Sequence, residues 1–79
     1  MSKLQSKTIQ EYESKGYYVI NLIKTNKNGI ADLLCLKAGE VPLFIEIKED
    51  GDTVKPLQKY RQKELIKLGF KSIIKKNVR

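Results

Sequence analysis

Glu46 and Lys48 lie two residues apart in the strand-like run Ile45-Glu46-Ile47-Lys48, and Asp32 follows Gly29-Ile30-Ala31 at the head of a second apolar run. In an extended strand, residues i and i+2 share a face, so Glu46 and Lys48 emerge side by side from an otherwise apolar element. Charged groups are rare inside a sheet face unless they are paired or hold a metal. Two carboxylates and a lysine on one face are the equipment for metal-assisted phosphodiester hydrolysis. With oxygen donors, no histidine and no thiol cluster, the expected cation is hard, Mg²⁺ with Mn²⁺ as substitute. Asp32 and Glu46 would hold it, with the main-chain carbonyl of Ile47 as a further ligand. Such an ion polarises a phosphoryl oxygen and acidifies water, while Lys48 would orient that water or neutralise charge building on phosphorus. A structural salt bridge is the competing explanation for the E-x-K strand taken alone.

These groups need a scaffold that brings them together. Residues 3–15 read as a helix with Leu4, Thr8, Ile9 and Tyr12 on one face and Gly16 as its stop. Residues 17–23, rich in aromatic and β-branched types, read as a first strand. Residues 25–29 form a polar loop, 31–37 a second strand and 43–48 a third, with a reversal at Ala38-Gly39-Glu40 making an antiparallel hairpin. Residues opposite each other in a hairpin share a face. Asp32 therefore joins Glu46 only if the register pairs even with even, which predicts an odd-numbered connection or a bulge, with Leu34 opposite Phe44. A three-residue loop at 38–40 meets that condition. Pro56 opens a second helix to about Leu68, with Leu57, Tyr60, Leu65 and Leu68 as its buried stripe and Lys59, Lys63 and Lys67 outside. Residues 70–74 read as a fourth strand. The order is α-β-β-β-α-β, one α/β domain over residues 1–79.

Composition narrows the function. Without histidine, Ser-His and Cys-His catalysis and histidine zinc sites are excluded. The single Cys35 sits in the apolar run Leu33-Leu34-Cys35-Leu36 and reads as a buried thiol in a reducing compartment. The start of the chain lacks the apolar segment of a signal peptide and no stretch is long enough to span a bilayer, so an intracellular, cytoplasmic protein is expected. The net charge is +7, and residues 53–79 carry nine basic side chains, Arg79 among them, against Glu64 alone. That asymmetry points to a polyanionic partner. The lysines expected to meet it are Lys24 and Lys27 ahead of Asp32, and Lys55, Lys59 and Lys63 towards and along the second helix. Asp50 and Asp52 read as turn residues.

The segments Gly29-Ile30-Ala31-Asp32, Glu46-Ile47-Lys48, Gly51-Asp52 and Pro56-Leu57-Gln58, in that order, resemble the PD-(D/E)xK nuclease superfamily. Within it they resemble the VRR-NUC branch, whose small stand-alone members occur in phage genomes. The resemblance implies a restriction-endonuclease-like core, a mixed four-stranded sheet flanked by helices. It implies that Asp32 and Glu46 ligate the metal, that Lys48 is the catalytic lysine, and that Gln58 orients the water or the scissile phosphate. Read from the residues alone, Gln58 serves equally well as a helix-start residue capping its own backbone. Ala31 replaces the family's usual proline. Family members also carry a glutamate near the start of the first helix, where this chain has Ser2 and Gln5, with Glu11 the nearest helical carboxylate. The expected activity is a structure-selective endonuclease acting on branched DNA such as Holliday junctions or flaps, leaving 5′-phosphate and 3′-hydroxyl ends and working as a homodimer. The alternatives are a catalytically inactive nucleic-acid-binding module and a structural protein with a salt-bridged patch.

Overall fold

The computed structural model describes residues 2–77; Arg79, counted among the basic side chains, lies outside them. Six elements follow one another: α1 (Lys3–Ser14), β1 (Tyr18–Asn21), β2 (Leu33–Leu36), β3 (Leu43–Lys48), α2 (Pro56–Lys67) and β4 (Lys71–Lys76). The strands form one sheet in the order β1-β2-β3-β4. The first three are antiparallel and β4 runs parallel to β3, so α2 is the crossover that a parallel pair requires. The predicted α/β class, element order and mixed sheet are all present.

α1 begins where the Ser2 hydroxyl accepts the Gln5 N–H at 3.0 Å, satisfying one orphan donor of the first turn. It ends at Gly16, whose φ of 92° suits a residue without a Cβ. Leu4 and Thr8 are buried, and the Thr8 hydroxyl donates back to the Leu4 carbonyl at 2.7 Å, so its burial strands no polar atom. Ile9 and Tyr12, with Tyr17, Val19 and Ile47, pack on a core of Leu33, Cys35, Leu43 and Ile45. The odd-numbered residues of β2 and β3 therefore lie under α1, each contributing about 2 kcal/mol of apolar burial. Cys35 belongs to that layer, and burial pushes its thiol up to about 11.

The hairpin register pairs Leu34 with Phe44 and Leu33 with Ile45, the parity that the sequence requires. Its connection is longer than the three residues expected. Pairing between β2 and β3 stops at Cys35 and resumes at Leu43, and a turn in which the Glu40 N–H meets the Lys37 carbonyl at 3.1 Å occupies the bend.

Further expectations are corrected: β2 (Leu33–Leu36) is shorter than 31–37, and β4 (Lys71–Lys76) runs beyond 70–74. The first strand is shorter than 17–23, because the Ile23 N–H folds back onto the Asn21 carbonyl at 3.0 Å and its side chain is 87% exposed. The predicted apolar stripe of α2 is not a buried stripe. Only Leu65 is buried, while Leu57, Tyr60 and Leu68 are 44%, 56% and 68% exposed. α2 packs chiefly on the edge strand β4, which offers one strand's width of apolar surface, too narrow to cover the whole stripe.

Candidate active site

Asp32 stands where three strands meet. Its main-chain N–H donates to the Ile45 carbonyl at 3.0 Å, and its own carbonyl accepts the Leu22 N–H at 2.8 Å. Its carboxylate Oδ2 accepts the Ile47 N–H at 2.8 Å. One residue beyond the last ladder pair, the side chain thus replaces a main-chain acceptor and is held towards β3. The main-chain N–H bond of Asp32 goes to Ile45, already the partner of Leu33, so the ladder ends in a local irregularity there, and the Glu46 carboxyl lies within hydrogen-bonding reach of the Asp32 side chain.

Glu46 and Lys48 share the even face of β3 and are both buried, 5% and 7% exposed. Burial raises Glu46 to about 8, the Asp32 carboxyl pushes in the same direction, and the Lys48 charge pulls back only partly. Two converging carboxyls, one of them buried, need a proton or a cation between them. That need, together with hard oxygen donors, fits a divalent ion. Asp32 and Glu46 would hold it. Among the described residues no group of three or more His, Cys, Asp or Glu side chains assembles, so remaining ligands would be neutral.

Of the three first-helix residues Ser2, Gln5 and Glu11, only Gln5 lies beside Asp32. Ser2 is spent on capping, and Glu11 turns away to Lys15 at 3.2 Å and Lys75 at 3.1 Å. Gln5 reaches the cleft beside Asp32, with its Nε2 donating to Asn21 Oδ1 at 2.8 Å. Asn21 was missed in the sequence reading. Its signal was legible as the one amide in an otherwise apolar strand.

Gln58 is not drawn into the cluster by any bond of its oxygen. Its Oε1 accepts the Lys55 N–H at 2.8 Å and closes the first turn of α2, which leaves Nε2 for any role at phosphate. Asp52 likewise serves its turn, accepting the Glu49 N–H at 3.1 Å. Lys24 and Lys27 line a groove of about 330 Å³ that ends at Asp32. Lys55 and Lys59 are exposed around the start of α2, while Lys63 lines a separate groove with Tyr60 and Leu68. Tyr60, at 56% exposed, is therefore not a core residue.

The loop preceding Asp32 is clamped from α2. Arg61 Nε donates to the Asn28 carbonyl at 2.8 Å while its Nη1 meets Glu64 at 2.8 Å. Gly29 has φ 82°, and a Cβ there would lie 2.7 Å from Leu57 Cγ and 3.2 Å from the Leu57 carbonyl carbon. Gly29→Ala is expected to cost about 2 kcal/mol or more, from left-handed strain and overpacking together. Denaturant unfolding measures it; an unchanged midpoint would show that the loop is not seated on Leu57.

Comparison with known proteins agrees with this architecture. No protein-family model matches the sequence, and no curated protein does. Among solved structures, one described as a VRR_NUC domain superposes with a TM-score of 0.78 at 23% identity, covering 91% of this chain and 78% of that one. A second, described as a VRR_NUC domain protein, gives a TM-score of 0.56 at 26% identity over 89% of this chain and 52% of that one. With its mixed sheet, its two helices and this agreement over nine-tenths of its length, the chain has the VRR-NUC fold, a nuclease-family fold.

Proposed function

We propose that the chain is an Mg²⁺- or Mn²⁺-dependent endonuclease that hydrolyses phosphodiester bonds of branched DNA, such as Holliday junctions or flaps. The observation that carries this reading is the convergence of Asp32 on Glu46, across the β2–β3 register, with Lys48 beside them on the same face. A divalent ion held there would supply Lewis-acid polarisation of the phosphoryl oxygen and an acidified water. The protein's own part is positional and electrostatic. The Ile47 N–H fixes the Asp32 carboxylate, and Ile47's carbonyl lies between the two charged side chains as a candidate neutral ligand. Lys48 stands two residues from Glu46, where its ammonium offsets charge that grows on the phosphoryl oxygens. Gln58 Nε2 is assigned to the water or the phosphate. Lys24 and Lys27 would guide the DNA backbone into Asp32, with Lys55, Lys59 and Lys63 extending the basic track along α2.

Lysine side chains in the loop ahead of Asp32 and along α2 suit recognition of backbone and shape. Pairing of two copies about a two-fold axis would present two sites to a symmetric junction; light scattering that returns a monomer mass at high concentration removes that part. Labelled junction, flap, duplex and single strands, incubated with Mn²⁺, test the activity. Wild type is expected to cleave branched substrates and Lys48→Ala to be slower by about 10²–10³. Cleavage unaltered by Lys48→Ala would refute the assignment. A second reading, an inactive nucleic-acid-binding module, draws on the clustering of no more than two carboxylates among the described residues; salt-sensitive binding with no turnover would select it.

A further inference from the structure

On the β4 side of the molecule lies a notch of about 300 Å³, lined by Leu4, Lys7, Thr8, Glu11, Lys75, Lys76 and Asn77. None of these residues belongs to the Asp32 cleft or to the basic track along α2. Glu11 is the one carboxylate in the lining, and it is already shared between Lys15 and Lys75, whose bonds hold its carboxyl below the usual range. Thr8 is committed to the Leu4 carbonyl. That leaves the exposed Lys7 and Lys76 ammonium groups and the Asn77 amide at the mouth, with an excess positive charge over the lining.

The fold fixes where this notch lies. Lys76 is the register partner of Lys48 on the adjacent parallel strand, one inter-strand spacing of about 4.8 Å away. Gln5 borders the Asp32 cleft, while Leu4, Lys7 and Thr8 of the same helix border the notch. Given the strand order β1-β2-β3-β4, Lys24 and Lys27 lie on one side of the cluster and Lys7 and Lys76 on the other.

We propose that Lys7, Lys76 and Asn77 form a phosphate-binding subsite that grips the nucleic-acid backbone on the β4 side of the cleavage cluster. Lysine and amide donors with no sequence-reading geometry are the groups that contact phosphate and set register. The inference rests on the nuclease reading for the identity of the polyanion. A strand whose scissile phosphate sits at Asp32, Glu46 and Lys48 would then be held at both flanks, by the loop lysines upstream and by the notch beyond the sheet edge.

The test is fluorescence anisotropy of a labelled DNA duplex and a labelled four-way junction, titrated in EDTA at several salt concentrations. The Lys7→Ala/Lys76→Ala double variant is expected to bind several-fold more weakly, with the slope of log K against log salt reduced by about two. A Lys67→Ala/Lys71→Ala variant removes the same charge from the opposite end of α2 and β4 and is expected to leave that slope unchanged. An unaltered slope in the notch variant, or an equal loss in the control, overturns the subsite. Because binding is read without divalent metal, the result is separate from turnover. Wild type that binds with the expected slopes but never cleaves would remove the nuclease reading and leave the notch standing.

Discussion

Asp32→Asn is expected to lower turnover on branched DNA by at least about 10³ while leaving the fold intact or more stable. The asparagine oxygen can still accept the Ile47 N–H that Asp32 accepts at 2.8 Å, so the strand junction keeps its bond. On the proposed function, what disappears is one of two carboxylates that would share a cation, on which both transition-state stabilisation and metal affinity would depend. The carboxylate's upward push on Glu46 disappears as well, and with it part of the cost of ionising that buried group. Activity and thermal stability are therefore expected to move in opposite directions. Parallel loss of both would mean that Asp32 is chiefly a structural anchor, and the salt-bridged-patch alternative would gain. Alanine at the same position makes a poorer test, because it also leaves a main-chain N–H without its acceptor, worth about 1–3 kcal/mol.

The second large effect is on the pH dependence of stability without metal. Glu46 rises from an ordinary 4.5 to about 8 in the folded protein, through burial first and Asp32 second. Between those values the folded state keeps a proton that the unfolded chain has released. The contribution is thus fully present below about pH 4.5 and is lost as pH rises towards 8, with a limiting slope of about 1.4 kcal/mol per pH unit. In EDTA, unfolding free energy should fall over that window, and Glu46→Gln should flatten the fall. Added Mg²⁺ competes with the proton for the same oxygens, so its stabilisation should grow with pH. Glu11 and Glu64, held low by their lysine and arginine partners, act in the opposite sense and at more acidic pH. Denaturant melts at pH 5, 6.5 and 8, with and without Mg²⁺, read all of this. Superimposable profiles for wild type and Glu46→Gln would show that the carboxyl is solvated.

Much of the site was legible because β-structure converts sequence parity into geometry. Once Asp32 and Glu46 must share a face, the register of β2 and β3 is constrained, and Leu34 does pair with Phe44. β3 matches its predicted bounds, since a short run of alternating burial leaves little choice of end points. The exposed face of α2 was not legible. Helical periodicity states which side chains align, but not whether a neighbour exists to cover them, and β4 is too narrow to cover Leu57, Tyr60 and Leu68. Nor did periodicity distinguish Gln5 from the other polar residues of α1. Its place beside Asp32 depends on how α1 lies across the sheet, a tertiary property. The Lys7 and Lys76 pairing was hidden for the same reason, with sixty-nine positions separating them in sequence.

The triple anchorage of Asp32 has a bearing on how such a protein diversifies. Its amide and carboxylate are taken by β3, at Ile45 and Ile47, and its carbonyl by Leu22 just after β1. The stretch from Lys24 to Lys27 hangs outside that knot. On the proposed function, lengthening or recharging it would redraw which nucleic-acid shapes can approach, while the chemistry behind it stays in place. Selectivity and catalysis are in this sense separately heritable, and variants grafted between positions 24 and 27 offer a route to new substrates without rebuilding the sheet.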